Sequence, residues 1–415
     1  MIGHLNNEIR TIRFNAALVL GELGERAADG VSSLITCLED EDWSICREAT
    51  KSLGKIGDSA VDAIPQLAKL LTDDECSIRK EAAIALGKIG VASDVAVSSL
   101  IAALEDEDED VRTEVVNTLG MMGKGANAAI PNLIECFKDP SWLVRTAAAQ
   151  AIDGIGKDST DAIPALVYAL EDRDWRVRQR SINTLVTLGE PSIAPLLEVL
   201  NHQNPIVRQG VVDALGEMKV KDPEIIRSVA LLLMDRDEKV RGKTADALRS
   251  IGKEAIPAMI DSYASANTKM KVLLLSALGG IGQDAEPALP HIFENLKMGP
   301  TEVRIESARS LGKIGLTDES VIRSLIEALE DAKGPVRREA ALSLGKLGPG
   351  ASSAVPSLLS ALFDKKPDVR WRASEALGNI GVASVEVIEN LEILAHDEKD
   401  FVAEAAQEAL DLIGG

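Results

Sequence analysis

Four histidines, four cysteines and a recurring pairing of arginine with aspartate are the residues from which chemistry in this chain would be built. His4, His202, His291 and His396 lie far apart and are followed by Leu5, Gln203, Ile292 and Asp397. No His-x-x-x-His pair or Cys/His cluster gives the ligand spacing of a transition-metal site. Cys37, Cys46, Cys76 and Cys136 form no Cys-x-x-Cys and read as buried or half-buried free thiols of a reducing compartment. The run Glu105–Asp110 has the charge of a calcium loop without its glycine or spaced ligands. Gly-Lys-Ile-Gly resembles a phosphate loop, but it recurs as a helix stop. These residue types predict no catalytic centre, no metal and no cofactor. The remaining pattern is Asp73 with Arg79, Asp106 with Arg112, Asp139 with Arg145 and Asp172 with Arg178. An arginine fork bonds a carboxylate bidentately. The pattern therefore predicts a structural ladder, each arginine reaching the acid of its own or a neighbouring turn. A phosphate-reading arginine row is the alternative; the recurrence of acid beside base favours the ladder.

These pairs are positioned by a repeat. Taking Arg79 as a reference slot, equivalent positions fall at Arg13, Cys46, Arg112, Arg145, Arg178, Arg208, Arg241, Lys271, Arg304, Arg337, Arg370 and Ala403. The step is 33 residues, except for steps of 30 from 178 to 208 and from 241 to 271. A fixed period of this size marks a solenoid-like array. The residue before the slot is apolar (Ile45, Ile78, Val111), the third after it is small (Ala49, Ala82), and the seventh is Leu or Ile (Leu53, Leu86, Ile152). This spacing puts all three on one helical face. Gly54 and Gly87 follow that leucine and read as part of the helix stop, with Gly57 and Gly90 closing the turn. A second apolar run follows, such as Ala60–Leu71, with Pro65 near its start, where proline is tolerated. Each unit is helix, glycine turn, helix, acidic turn. Asp42, Asp108, Asp174 and Asp237 stand where N-caps are needed.

Asp172–Arg178, Leu-Gly-Lys-Ile-Gly at 53–57 and Ala-Ile-Pro at 63–65, 129–131 and 162–164 resemble the HEAT repeat family, in the subtype found in phycobilisome lyases. The ankyrin and tetratricopeptide signatures are absent. The resemblance covers essentially the whole chain. It implies an all-α, right-handed α-solenoid of about twelve two-helix repeats in a single domain, 1–415. In HEAT arrays the second helices line the concave surface. That points to a scaffold whose partners are proteins or peptides, bound through Gln66, Lys69, Ser99, Asn132, Glu135, Tyr168, His291 and Glu294. The alternative it implies is a bilin lyase-like protein handling a tetrapyrrole. HEAT-like deoxyhypusine hydroxylases carry His-Glu pairs, which this chain lacks.

A net charge of −21 disfavours nucleic acid. No signal-peptide run and no stretch long enough for a membrane span is present, so the cytoplasm is expected. Lys55, Lys88, Lys313 and Lys346 gather at the glycine turns, predicting a partly basic edge opposite the acidic one. Trp43, Trp142 and Trp175 share one slot and are expected to pack under the adjoining turn. The sequence starts and stops in mid-repeat without polar caps, consistent with a fragment or with an end-to-end or homo-oligomeric contact. The stretch 186–300 is irregular, between regular stretches at 1–185 and 301–415. His202, Ser265 and Met298 replace the ladder aspartate there, and Lys219 replaces the turn glycine. This stretch is a candidate hinge or change of curvature.

Overall fold

The computed structural model describes residues 1–263 and 265–414. Every regular element among the described residues is a helix. Packing divides the chain into two units, Met1–Ala214 and Leu215–Gly415, and the division falls inside the irregular stretch. Within each unit a first helix of about four turns alternates with a shorter second helix. Trp43–Ile56 is followed by Ile64–Leu70, then Cys76–Ile89 by Asp94–Ala103.

The first helices pack on one another through the stripe set by the repeat. Ile45, Ala49 and Leu53 are fully buried, as are Val111, Val115 and Leu119 two periods further on. The second helices add Ile64, Leu67 and Ala68 to the same core. Burying such aliphatic side chains is worth about 1.5–3 kcal/mol each, so the array is held by many small equal contributions.

The two glycines of the turn have different jobs. Gly57 has φ +71 and Gly90 φ +73, a left-handed region that costs an L side chain energy. Gly54 lies inside the helix Trp43–Ile56 and does not stop it. A Cβ there would sit 2.9 Å from the Cα of Ala85 in the next repeat; at Gly120 it would sit 2.7 Å from that of Ala151. The first glycine is therefore a close-approach residue between consecutive first helices. Beside it runs a bond with no sequence-level prediction. Ser52 Oγ donates to Ala17 O at 2.8 Å, Thr118 Oγ1 to Ala83 O at 2.8 Å and Ser343 Oγ to Ala308 O at 2.8 Å.

The second apolar run is also divided. Gly57–Ala63 is a 3₁₀ helix with a kink at Ala60, and the α-helix begins only at Ile64, with Pro65 in its first turn. Where the turn reads Gly-Val-Ala-Ser, at 90–93 and 381–384, the serine instead caps the second helix directly. Ser93 accepts from the Ala96 amide and Ser384 from that of Val387. Lys219 keeps the turn without a glycine, at φ 51.

Candidate functional site

The acidic turns and the slot arginines form one connected structure. Asp108 caps the helix Glu109–Met121, accepting from the amides of Asp110 and Val111; Asp42, Asp174 and Asp237 cap their own helices alike. Two residues earlier, Asp106 Oδ1 accepts from the Asp108 amide at 2.9 Å. That carboxylate receives the arginine of the preceding repeat. Arg79 Nε donates to Asp106 Oδ2 at 2.6 Å and Nη2 to Oδ1 at 2.9 Å. Its Nη1 donates to the carbonyls of Asp73 and Asp74 in its own turn, at 2.9 and 3.2 Å. Each rung thus ties a turn to the next turn and to the cap of the next helix.

The same bonds join Arg112 to Asp139, Arg145 to Asp172, Arg304 to Asp331, Arg337 to Asp364 and Arg370 to Asp397, 27 residues apart each time. Burial pushes Asp106 and Asp172 up, but the arginine hydrogen bond, the Asx-turn amide and the positive charge outweigh it. Both carboxyls are held below the ordinary aspartate range. At Asp397 the Arg370 hydrogen bond is the largest influence, and it too is lowered.

Two expected members stand outside the rungs. Asp73 accepts from the Glu75 amide but takes no arginine fork, because Cys46 occupies the preceding slot. Arg178 keeps its bonds to the carbonyls of Asp172 and Arg173, yet among the described residues no carboxylate meets its fork. The next turn comes after a 30-residue step and carries His202 there.

Between consecutive second helices the ladder forms the floor of a groove. One, of about 380 Å³, is lined by Ala68, Leu71, Arg79, Ser99, Ala102 and Asp106. Another, of about 530 Å³, is lined by Phe137, Asp139, Arg145, Tyr168, Asp172 and Arg173. In unit 2, grooves of about 420 and 390 Å³ involve His291 and Glu294, and Glu294 with Ser324. The grooves fall in the same repeat register. They bring Ser99, Tyr168 and Glu294 together with ladder residues, which the sequence treats as a separate feature, whereas His291 lines a groove that carries Lys271 and Met298 at the ladder positions. Gln66, Lys69, Asn132 and Glu135 lie on second helices without lining these grooves; Lys69, Asn132 and Glu135 are exposed and Gln66 is half-buried. Sequence reasoning missed the residue eight before each slot. It is Leu71, Phe137, Tyr263 or Leu296, and it forms the apolar wall.

Two further expectations need correction. Trp43 and Trp175 do not pack under a turn; Trp175 is 61% exposed. The reason is their place in the first turn of the helix, where the side chain points away from the helix–helix seam. Arg176 covers the Trp142 ring at 3.8 Å, so the row is partly shielded by cation–π contact. Cys76 occupies the same helix-start slot and is exposed for the same reason. Burial pushes the Cys46 thiol up to about 11 and Cys136 to about 12, the behaviour of core thiols.

A helical array of this kind is an α-solenoid. A family model for HEAT repeats matches residues 4–86, 64–153, 130–200, 193–270, 256–345 and 322–411, and the chain belongs to the HEAT repeat family. No curated protein matches in sequence. Among solved structures, the chain is similar to Kap121p, with TM-score 0.62 at 15% identity, over 99% of this chain and 53% of that one. Kap121p bound to Ste12p gives 0.64 at 14% identity, over 99% and 52%. Kap95p, whose binding induces the switch loops of RanGDP to adopt the GTP-bound conformation, gives 0.51 at 15%, over 99% and 65%. The chain spans about half the length of Kap121p. At these identities the likeness is one of fold. No helix among the described residues is long and apolar enough to cross a membrane.

Proposed function

We propose that this HEAT-repeat protein is a non-enzymatic scaffold that binds protein or peptide partners on the face formed by its second helices. The observation that carries this reading is the recurrence of a groove in one register, with an apolar wall, variable small and polar residues and, outside the Lys271 groove, ladder residues beneath. A series of regularly placed grooves suits an extended peptide or a helix, which presents side chains at regular intervals. Crystal structures of Kap121p with bound Ste12p, Nup53p and the C-terminus of Cdc14p lend support by fold likeness. The cytoplasm is the compartment we assign it.

The test is an affinity pull-down from native extract with mass spectrometry, comparing the intact chain with a Gln66→Glu, Asn132→Glu, Tyr168→Glu variant. Tyr168 and Asn132 are exposed and Gln66 is half-buried, so a circular-dichroism melt of the variant first checks that it is folded. A protein lost only with the variant supports the reading and locates its surface. Identical eluates would overturn the assignment to this face. Bilin handling of the phycobilisome lyase type rests on repeat resemblance alone; visible absorbance acquired on co-expression with the chromophore is its test.

A further inference from the structure

The groove of unit 2 around Lys271 departs from the repeat at each position that matters. Eight residues before the slot, where the chain places Leu38, Leu71, Leu104, Leu170, Leu296 and Leu329, it has Tyr263. At the slot itself Lys271 replaces arginine. At the ladder position Met298 replaces aspartate. Where Ser99 and Ser324 stand in sibling grooves there is His291. All four side chains line the same cavity of about 420 Å³.

The consequences are physical. Tyr263 is 5% exposed and, among the described residues, its hydroxyl has no hydrogen-bond partner. A buried hydroxyl without a partner is costly, and a leucine at this position would avoid the cost. The Tyr263 and His291 rings stack at 6.0 Å with planes 21° apart. The His291 carbonyl accepts from Asn295 Nδ2 at 2.6 Å, which ties the ring's backbone to its own helix. Lys271 is half-buried and, among the described residues, makes no ion pair. Met298 is 78% exposed and leaves the ladder position open to solvent. The cavity therefore holds an O–H donor and an ammonium donor and lacks the ladder carboxylate of its siblings, Glu294 at its edge being the one acid among its lining residues.

We infer that this groove is a receptor for a carboxylate side chain, an Asp or Glu, presented by a protein partner. This deepens the scaffold reading and rests on it. The acid takes the place that Asp106 fills beside Arg79 and Asp331 beside Arg304. Lys271 Nζ donates to one oxygen and the Tyr263 hydroxyl to the other, while His291 flanks the methylene. The sibling grooves decide the ligand's chemistry, since the anion this geometry accommodates elsewhere in the chain is a carboxylate. A phosphate carries up to two negative charges at pH 7, more than the single lysine of this slot balances beside Glu294. Local charge agrees. Between Asp261 and Asp284 the chain carries Lys269 and Lys271 and no acidic residue, whereas sibling turns are dense in acids. Glu294 on the rim is exposed and opposes an approach from its own side. The partner chain accordingly enters past Met298.

The experiment uses the full chain and random dodecapeptides displayed on phage, with affinities of selected peptides measured by fluorescence anisotropy. Met298→Asp supplies the missing carboxylate from within, and Met298→Asn is the neutral control. Selected peptides are expected to share an Asp or Glu whose replacement by Asn or Gln weakens binding about tenfold, the scale of one charge-assisted hydrogen-bonded pair. Met298→Asp is expected to abolish binding of those peptides, Met298→Asn to retain it, and Tyr263→Phe to weaken it. Lys271→Met gives the same loss as Met298→Asp and serves if the latter does not fold. Peptides indifferent to their acid, or bound equally by Met298→Asp, would overturn the carboxylate receptor. If such peptides are lost with the Gln66, Asn132 and Tyr168 variant, the scaffold reading stands while this one falls. Recovery of no peptide at all overturns both.

Discussion

Asp106 shows what one residue does in this array. It closes an Asx turn, receives a buried arginine fork and sits beneath a groove, all within hydrogen-bond distance. Asp106→Asn keeps the turn and removes the charge, leaving Arg79 buried beside a neutral amide. Breaking one partner of a buried pair costs about 3 kcal/mol, so the unfolding midpoint in urea is expected to fall. The pH dependence has a fixed sign. The native carboxyl is lowered, so the stabilisation is complete above the unfolded aspartate value of about 3.9. It is lost as pH falls through the native value. Thermal melts of wild type and Asp106→Asn should differ at pH 7 and converge in acid. A gap unchanged in acid would mean the ion pair is not the source of the difference. Arg112→Ala should lower the melting temperature in the same way; an unchanged curve would remove the ladder from the account of stability.

At the scale of the element, glycine and its substitutes carry the clearest expectations. Gly120→Ala would drive a methyl to 2.7 Å from the Ala151 backbone, and backbone cannot rotate away. The two first helices must separate, at about 1–3 kcal/mol. Lys219→Gly should act oppositely. Lys219 is held at φ 51, and relieving a left-handed L residue is worth about 1 kcal/mol. Urea denaturation of both variants checks the pair; a stabilised Gly120→Ala would show that the helices are not in close contact. Much of the element structure was legible from the sequence. Period, helix pair, caps such as Asp108 and the proline start at Pro65 all follow from local chemistry. The role of Gly54 was not legible, because a helix-stop glycine and a helix–helix contact glycine look alike until the neighbour is placed. Ser52 bonding to Ala17 was hidden for the same reason.

At the scale of the molecule, the irregular stretch acquires a cause. Arg178 lacks a described carboxylate, Lys271 faces Met298, and both thirty-residue steps fall nearby. The first helices Glu238–Ile251 and Thr268–Ile281 are followed by Ser265 and Met298 at the ladder position, where Trp142–Ile155 and Gly334–Leu347 are followed by Asp172 and Asp364. Fewer inter-repeat bonds lower the free energy of local opening. Their amides should exchange with solvent faster than those of Cys76–Ile89, Glu109–Met121 and Trp142–Ile155, as read by mass spectrometry. Equal protection would remove the idea that 186–300 is a hinge.

The sequence by itself determined the repeat, its helices and the identity of the paired residues, because those depend on spacing along one chain and on local capping chemistry. Only the tertiary structure decided which acid each arginine takes, since the choice between its own turn and the next depends on the offset between stacked repeats. The same offset carried Ser99 and Tyr168 to the rim of the ladder. It also gathered Tyr263, Lys271 and Met298, which the sequence spreads over thirty-five positions, into one cavity. A one-dimensional pattern specifies which faces are buried; where two repeats meet is fixed by packing volume and hydrogen-bond geometry between them.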